Sequence, residues 1–214
     1  MIRINKMVSR LLKMGYQFYS VDVDPEEMQY AEVWVKDVIG RVISDPAIDL
    51  IASRYGMTGD EILDDLNWYI TIKETNYDEE TDYADEPYAK MSYSPATNTV
   101  VMEVGVDLME IGGQDELISS ILHELDHAAR DESVGVQGHL YWDFEGWITN
   151  PAERDAVKSQ IEAMFNNGYT AEEILIVLWD DWNNRWLPPE EQAKAIEITE
   201  RLIEEARNEM TELV

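Results

Sequence analysis

Two of the three histidines in this 214-residue chain lie four residues apart, in the segment His123-Glu124-Leu125-Asp126-His127. Positions four apart on an α-helix differ by about 40° in direction and by one turn along the axis. The two imidazoles therefore project from the same face and can bind one cation. Neutral imidazole is a good ligand for zinc. The spacing predicts a zinc site on a helix.

Glu124 has a different place in this H-E-x-x-H pattern. It is rotated by about 100° from His123, so it flanks the metal and is not a ligand. Zinc lowers the pKa of a bound water to about 7, and a flanking carboxylate can take the proton of that water. Glu124 is the candidate catalytic base. The alternative is that His123 and His127 are surface residues of an amphipathic helix without a metal.

Catalytic zinc needs a third protein ligand, with water in the fourth position. The chain has no cysteine, so this ligand must be His, Asp or Glu. The metzincin pattern would place a histidine six residues after His127, but Ser133 is there. Further downstream, four candidate ligands remain: His139, Glu145, Glu153 and Asp155.

The segment from Asn150 to Ala156 resembles the second motif of small phage-type, gluzincin-like zincin metallopeptidases. In that group, H-E-x-x-H is followed by P-x-E-x-x-A at the start of a helix, and the glutamate binds zinc. The match covers about residues 99–180. It implies that Glu153 is the third ligand and that the chain is a zinc metallopeptidase of phage or prophage origin. It also implies a bacterial host cytoplasm or a virion as the location. In zincins, the strand resembling residues 99–104 is an edge strand that pairs with the substrate.

A second segment, Gly138 to Phe144, is similar to the G-H-G-x-x-F context of SprT-like metallopeptidases. It lacks the glycine after the histidine, and its phenylalanine is shifted by one place. This resemblance implies His139 as the alternative third ligand. If His139 is not a ligand, it is either a donor to the developing oxyanion or a solvated loop residue. Tyr141 is a second candidate for the oxyanion donor.

Composition limits the partners. The chain has 45 acidic and 16 basic residues, a net charge of −29. Nucleic acids and anionic lipids bind through clustered Lys and Arg, so both are unexpected partners. No apolar run has the length needed to span a membrane. The expected partner is a peptide or protein substrate, and the oligomeric state stays open.

The periodicity predicts an α+β fold with a small antiparallel sheet packed against the motif helix and with additional N- and C-terminal helices. Residues 1–66 are expected to form an N-terminal helical region. Residues 67–214 are expected to form a zincin-like domain in one compact unit with it. The expected strands are 68–73, 90–94 and 99–106, with an earlier extended segment at 16–23. The expected later helices are 151–166, 170–184 and 189–212, and the expected loops are 74–88 and 131–140.

Two other classes of function compete with the peptidase. One is a non-catalytic structural or adaptor protein, such as a virion component, in which zinc has a closed fourth position. The intact Glu124 speaks against it, because a closed site has no need of a base. The other is an acidic charge mimic that binds a nucleic-acid-binding protein.

Overall fold

The computed structural model describes residues 14–44, 46–64, 66–73, 89–106, 109, 114–130, 144–185 and 189–212. Residues 1–13 of the predicted N-terminal helical region and the predicted loops at 74–88 and 131–140 lie outside these ranges. The candidate residues His139 and Tyr141 also lie outside them.

Four strands form one mixed sheet: β1 (Gly15–Val21), β2 (Asn67–Lys73), β3 (Ala89–Ser94) and β4 (Thr99–Gly105). Their order is β1-β2-β4-β3. The predicted β3–β4 hairpin is confirmed, and Asn98 takes a left-handed φ of 47° in its turn. The prediction of a wholly antiparallel sheet is wrong, because β1, β2 and β4 are parallel. The helices between β1 and β2 return the chain to the same end of the sheet, as a parallel pair requires.

The position of β4 corrects a second expectation. The strand that was expected to be an edge lies between β2 and β3 and pairs with both of them. Its backbone groups are therefore already engaged in the sheet, and they are not available to a substrate. Of the two strands in the hairpin, β3 is the one at the edge.

The helices of this part of the chain are α1 (Pro25–Val42), α2 (Pro46–Arg54), α3 (Gly59–Leu63) and α4 (Gln114–Ala129). α1 begins with a proline in its first turn, and the Asp24 side chain accepts a hydrogen bond from the backbone N–H of Glu26 at 2.9 Å. This cap satisfies one of the N–H groups that a helix start leaves without a partner. α4 carries the H-E-x-x-H pattern and packs against α1, α2, α3 and β3.

The buried residues of this unit include one side of the two central strands and an apolar stripe of α4. Alternate residues of the two central strands are buried, and so is a helical stripe: Trp68, Ile70, Ile72, Val100, Met102, Val104, Leu117, Ile118, Ile121, Leu122 and Leu125. Burying each Leu, Ile or Val side chain contributes about 1.5–3 kcal/mol. Outside this stripe, α4 carries three half-buried motif residues, His123, Glu124 and His127.

The second part of the described chain contains four helices: α5 (Phe144–Thr149), α6 (Pro151–Asn166), α7 (Ala171–Arg185) and α8 (Pro189–Glu212). These confirm the three predicted later helices and add α5. α8 packs against α5, α6 and α7. They share a core of Ile148, Val157, Ile161, Met164, Ile174, Leu178, Ala195, Leu202, Ile203 and Ala206.

Contacts between Cα atoms divide the chain into two units, Met1–Ala129 and Arg130–Val214. In the first unit, β1 pairs with β2. β1 lies within residues 1–66, which were expected to be helical, and β2 lies within residues 67–214. Whether residues 67–214 fold as a domain of their own stays a prediction.

No helix in the described ranges has the length and apolar character needed to cross a membrane.

Tyr16 on β1 gives the first testable prediction. Its ring stacks on Trp68 with centroids 6.5 Å apart, and burial raises the pKa of its hydroxyl from 10.0 to about 12. The fold therefore favours the neutral phenol. The stability due to this preference is complete below pH 10 and is lost as the pH rises from 10 to 12. We expect the wild-type melting temperature to fall more steeply over this window than that of Tyr16→Phe. Parallel melting curves from pH 8 to 11.5 check this, and equal slopes would contradict it.

Candidate metal centre

The two motif histidines approach each other through the same ring atom. The Nε2 atoms of His123 and His127 are 3.3 Å apart. Their rings meet edge to face, with an interplanar angle of 77° and centroids 5.0 Å apart. The expected convergence of two imidazoles four residues apart on α4 is therefore present in the first unit.

This separation fits zinc. Two nitrogen ligands at about 2.0–2.1 Å from a tetrahedral zinc lie about 3.3–3.4 Å from each other. The same distance suits an N–H···N hydrogen bond between two neutral imidazoles, in which one ring donates and the other accepts. The separation of the two Nε2 atoms therefore suits a shared metal ion.

The third residue of the group is the glutamate that the second motif indicates. One ligand atom each from His123, His127 and Glu153 lies within 4.8 Å of the other two, and all three residues are half-buried. Among the described residues, this is the group of His, Asp and Glu side chains that could hold a metal ion. His139, the alternative third ligand, lies outside the described residues, so its candidacy stays a prediction.

Glu153 occupies the third position of α6, where a glutamate often serves only to cap the helix. In the chain's other helices, two glutamates at this position do so. Glu61 and Glu173 accept hydrogen bonds from the backbone N–H groups of Thr58 and Thr170, both at 2.7 Å. These hydrogen bonds, with those from the threonine hydroxyls, lower the pKa of both carboxyls.

α6 begins differently. The Asn150 side chain accepts from the N–H of Ala152 at 2.9 Å, and the N–H of Asn150 donates to the carbonyl of Trp147 at 3.1 Å. The Asn150 side chain and the Trp147 carbonyl therefore take part in capping the start of α6.

The two other acidic candidates for the third ligand form ion pairs. Asp155 pairs with Arg130, and Glu145 pairs with Lys194. Neither belongs to the group that could hold a metal. Arg130 also donates to the carbonyl of Pro151 at 2.9 Å, so its guanidinium contacts residues on both sides of Glu153 in the first turn of α6.

Sequence reasoning missed Asp126, the residue before the second histidine. Its side chain is fully buried, and it binds Tyr55 and Arg54. The sequence did indicate that Asp126 is buried, because it follows Leu122 by one helical turn and therefore lies on the buried stripe of α4. A charged residue on such a stripe needs a partner, but the sequence does not show which one.

No protein-family model matches the chain, and the comparisons with curated proteins and with solved structures found no match.

Proposed function

We propose that this protein is a zinc-dependent metallopeptidase with a zincin-like catalytic region. The observation that carries the proposal is the grouping of His123, His127 and Glu153 within 4.8 Å, with Glu124 beside the first histidine in sequence. Two imidazoles and one carboxylate match the donor set of zinc sites that keep one position open.

The donor types favour zinc over the common hard cations. Magnesium and calcium prefer all-oxygen sites with six or more ligands, whereas His123 and His127 offer imidazole nitrogens. The carboxylate of Glu153 supplies one negative charge, which partly neutralises a divalent ion. When bound, zinc supplies a Lewis acid that activates water for attack on a peptide carbonyl.

The proposed role of Glu124 is proton transfer. Its carboxylate accepts a proton from the attacking water as the water oxygen bonds to the peptide carbon. The same proton then passes to the leaving nitrogen as the C–N bond breaks, so the products are a carboxylic acid and an amine. His123 and His127 would hold the zinc through their Nε2 atoms, which are 3.3 Å apart.

The proposed substrate is a peptide in extended conformation. Edge strands bind such peptides through main-chain hydrogen bonds, with little dependence on sequence. Among the described strands, β3 lies at the edge of the sheet, and it packs against α4. We therefore assign to β3 the pairing role that the resemblance gave to β4. The net charge of −29 disfavours nucleic acid and anionic lipid as targets.

Removing the metal tests the proposal. We expect wild-type protein to cleave an unfolded fluorescent-labelled protein, to lose this activity after dialysis against a zinc chelator, and to regain it with one equivalent of zinc. Activity that survives complete zinc removal would contradict a zinc mechanism. One bound zinc without cleavage of any peptide in a diverse library would instead favour the structural, non-catalytic alternative.

A further inference from the structure

Asp126 forms a buried network with two residues at the end of α2. The Tyr55 hydroxyl donates to Asp126 Oδ1 at 2.7 Å, and Arg54 Nη1 donates to Oδ2 at 3.1 Å. The Asp126 side chain is 0 % exposed, and that of Arg54 is 21 % exposed. We infer that Tyr55, Arg54 and Asp126 form a positioning device that sets the metal-binding face of α4. This inference rests on the proposed zinc site.

Helix geometry places Asp126 beside the imidazoles. With about 100° between successive residues, Asp126 lies about 60° to one side of His123 and about 100° to the same side of His127. Glu124 lies on the opposite side of both. The network therefore anchors one flank of the imidazole pair, and the proposed base occupies the other flank.

The donors are themselves held by a well-defined helix end. The N–H of Met57 donates to the carbonyl of Ala52 at 2.9 Å, and the N–H of Gly56 donates to that of Ser53 at 3.2 Å. Gly56 has a φ of 69°. This is the Schellman arrangement that closes a helix with a left-handed glycine. It fixes the backbone of Arg54 and Tyr55, from which both donors extend.

The apolar stripe of α4 cannot fix the orientation of the metal-binding face in the same way. Leu and Ile side chains select which face of a helix is buried, but they tolerate small rotations and shifts by repacking. Hydrogen bonds to both oxygens of one buried carboxylate tolerate much less, because their strength falls steeply with distance and angle. A buried ion pair adds little net stability, whereas it can specify one arrangement over its neighbours. His123 and His127 lie on one helix, so any rotation or shift of α4 moves both ligands. The zinc site therefore needs α4 to be held in one orientation.

Tyr55→Phe tests the inference with the smallest change, since it removes one hydroxyl and keeps the ring. The matched control is Tyr93→Phe, which removes a hydroxyl that donates to Asn98 Oδ1 at 2.9 Å in the β3–β4 hairpin. Zinc affinity is measured by chelator competition, well below the melting temperature of each metal-free protein. The visible spectrum of the cobalt-substituted proteins reports the ligand geometry.

We expect Tyr55→Phe to bind zinc about tenfold more weakly than wild type, in the range for residues that orient metal ligands, and to alter the cobalt spectrum. Tyr93→Phe should match wild type in both measurements, even if both variants lose similar thermal stability. Wild-type zinc affinity and an unchanged spectrum in Tyr55→Phe would overturn the inference and leave the zinc site standing. Equal losses in the two variants would also overturn it. A wild-type protein that binds no zinc would overturn the proposed function itself.

Discussion

Glu124→Gln is expected to lose peptide-bond hydrolysis almost completely while it keeps one zinc ion per chain. The amide has the size of the carboxylate, but it cannot accept a proton from water at neutral pH. Loss of a general base costs about 10²–10⁴-fold in rate. Because Glu124 is not among the three residues that could hold the metal, zinc content should stay at the wild-type level. Steady-state cleavage of a labelled peptide and elemental analysis of the same samples measure both effects.

Glu145→Gln is the matched control for this prediction. It makes the same chemical change at a glutamate of α5 that pairs with Lys194, so its activity should equal that of wild type. If Glu124→Gln cleaved peptides at the wild-type rate, the assignment of the base would be wrong. If Glu124→Gln lost zinc together with activity, Glu124 would have to be a ligand.

Glu153→Ala is expected to lower zinc affinity by at least about 100-fold, because the site is left with two imidazoles and loses its only negative ligand. α6 should survive the change, since Asn150 and the Trp147 carbonyl cap its first turn. The melting temperature of the metal-free variant should therefore stay close to that of metal-free wild type. Chelator competition and melting curves of the zinc-free proteins provide the two measurements.

Two control substitutions separate metal binding from helix capping. Glu173→Ala removes a glutamate at the same helical position, where it does cap α7. It should lower the melting temperature and keep full zinc affinity. Asp155→Ala breaks the pair with Arg130 and should also keep zinc. Zinc retained in Glu153→Ala but lost in His139→Ala would move the third ligand to His139, as the SprT-like resemblance implies.

The motif helix and the histidine pair could be predicted because they depend on local spacing. The apolar stripe of α4 and the four-residue interval between His123 and His127 fix which residues share a face, whatever the helix packs against. The starts of α6 and α8 coincide with Pro151 and Pro189, and proline is a local signal for a helix start.

The sheet order could not be predicted in the same way. Strand pairing depends on contacts between residues that are distant in sequence, and alternation of apolar residues does not distinguish a central β4 from an edge β4. The partners of Asp126 were hidden for the same reason, since Tyr55 lies 71 residues earlier in the chain. The role of Glu153 rested on a motif, and periodicity alone does not separate a ligand from a helix cap.

Zinc content of the wild-type protein, measured by elemental analysis without a tag, tests the central claim most directly. The sample is analysed as purified and again after zinc is added and the excess is removed. We predict one zinc ion per chain, with X-ray absorption showing only nitrogen and oxygen ligands, including imidazole. A protein that holds no zinc even after the addition would contradict the account, and the acidic charge mimic would then become the better explanation of this chain.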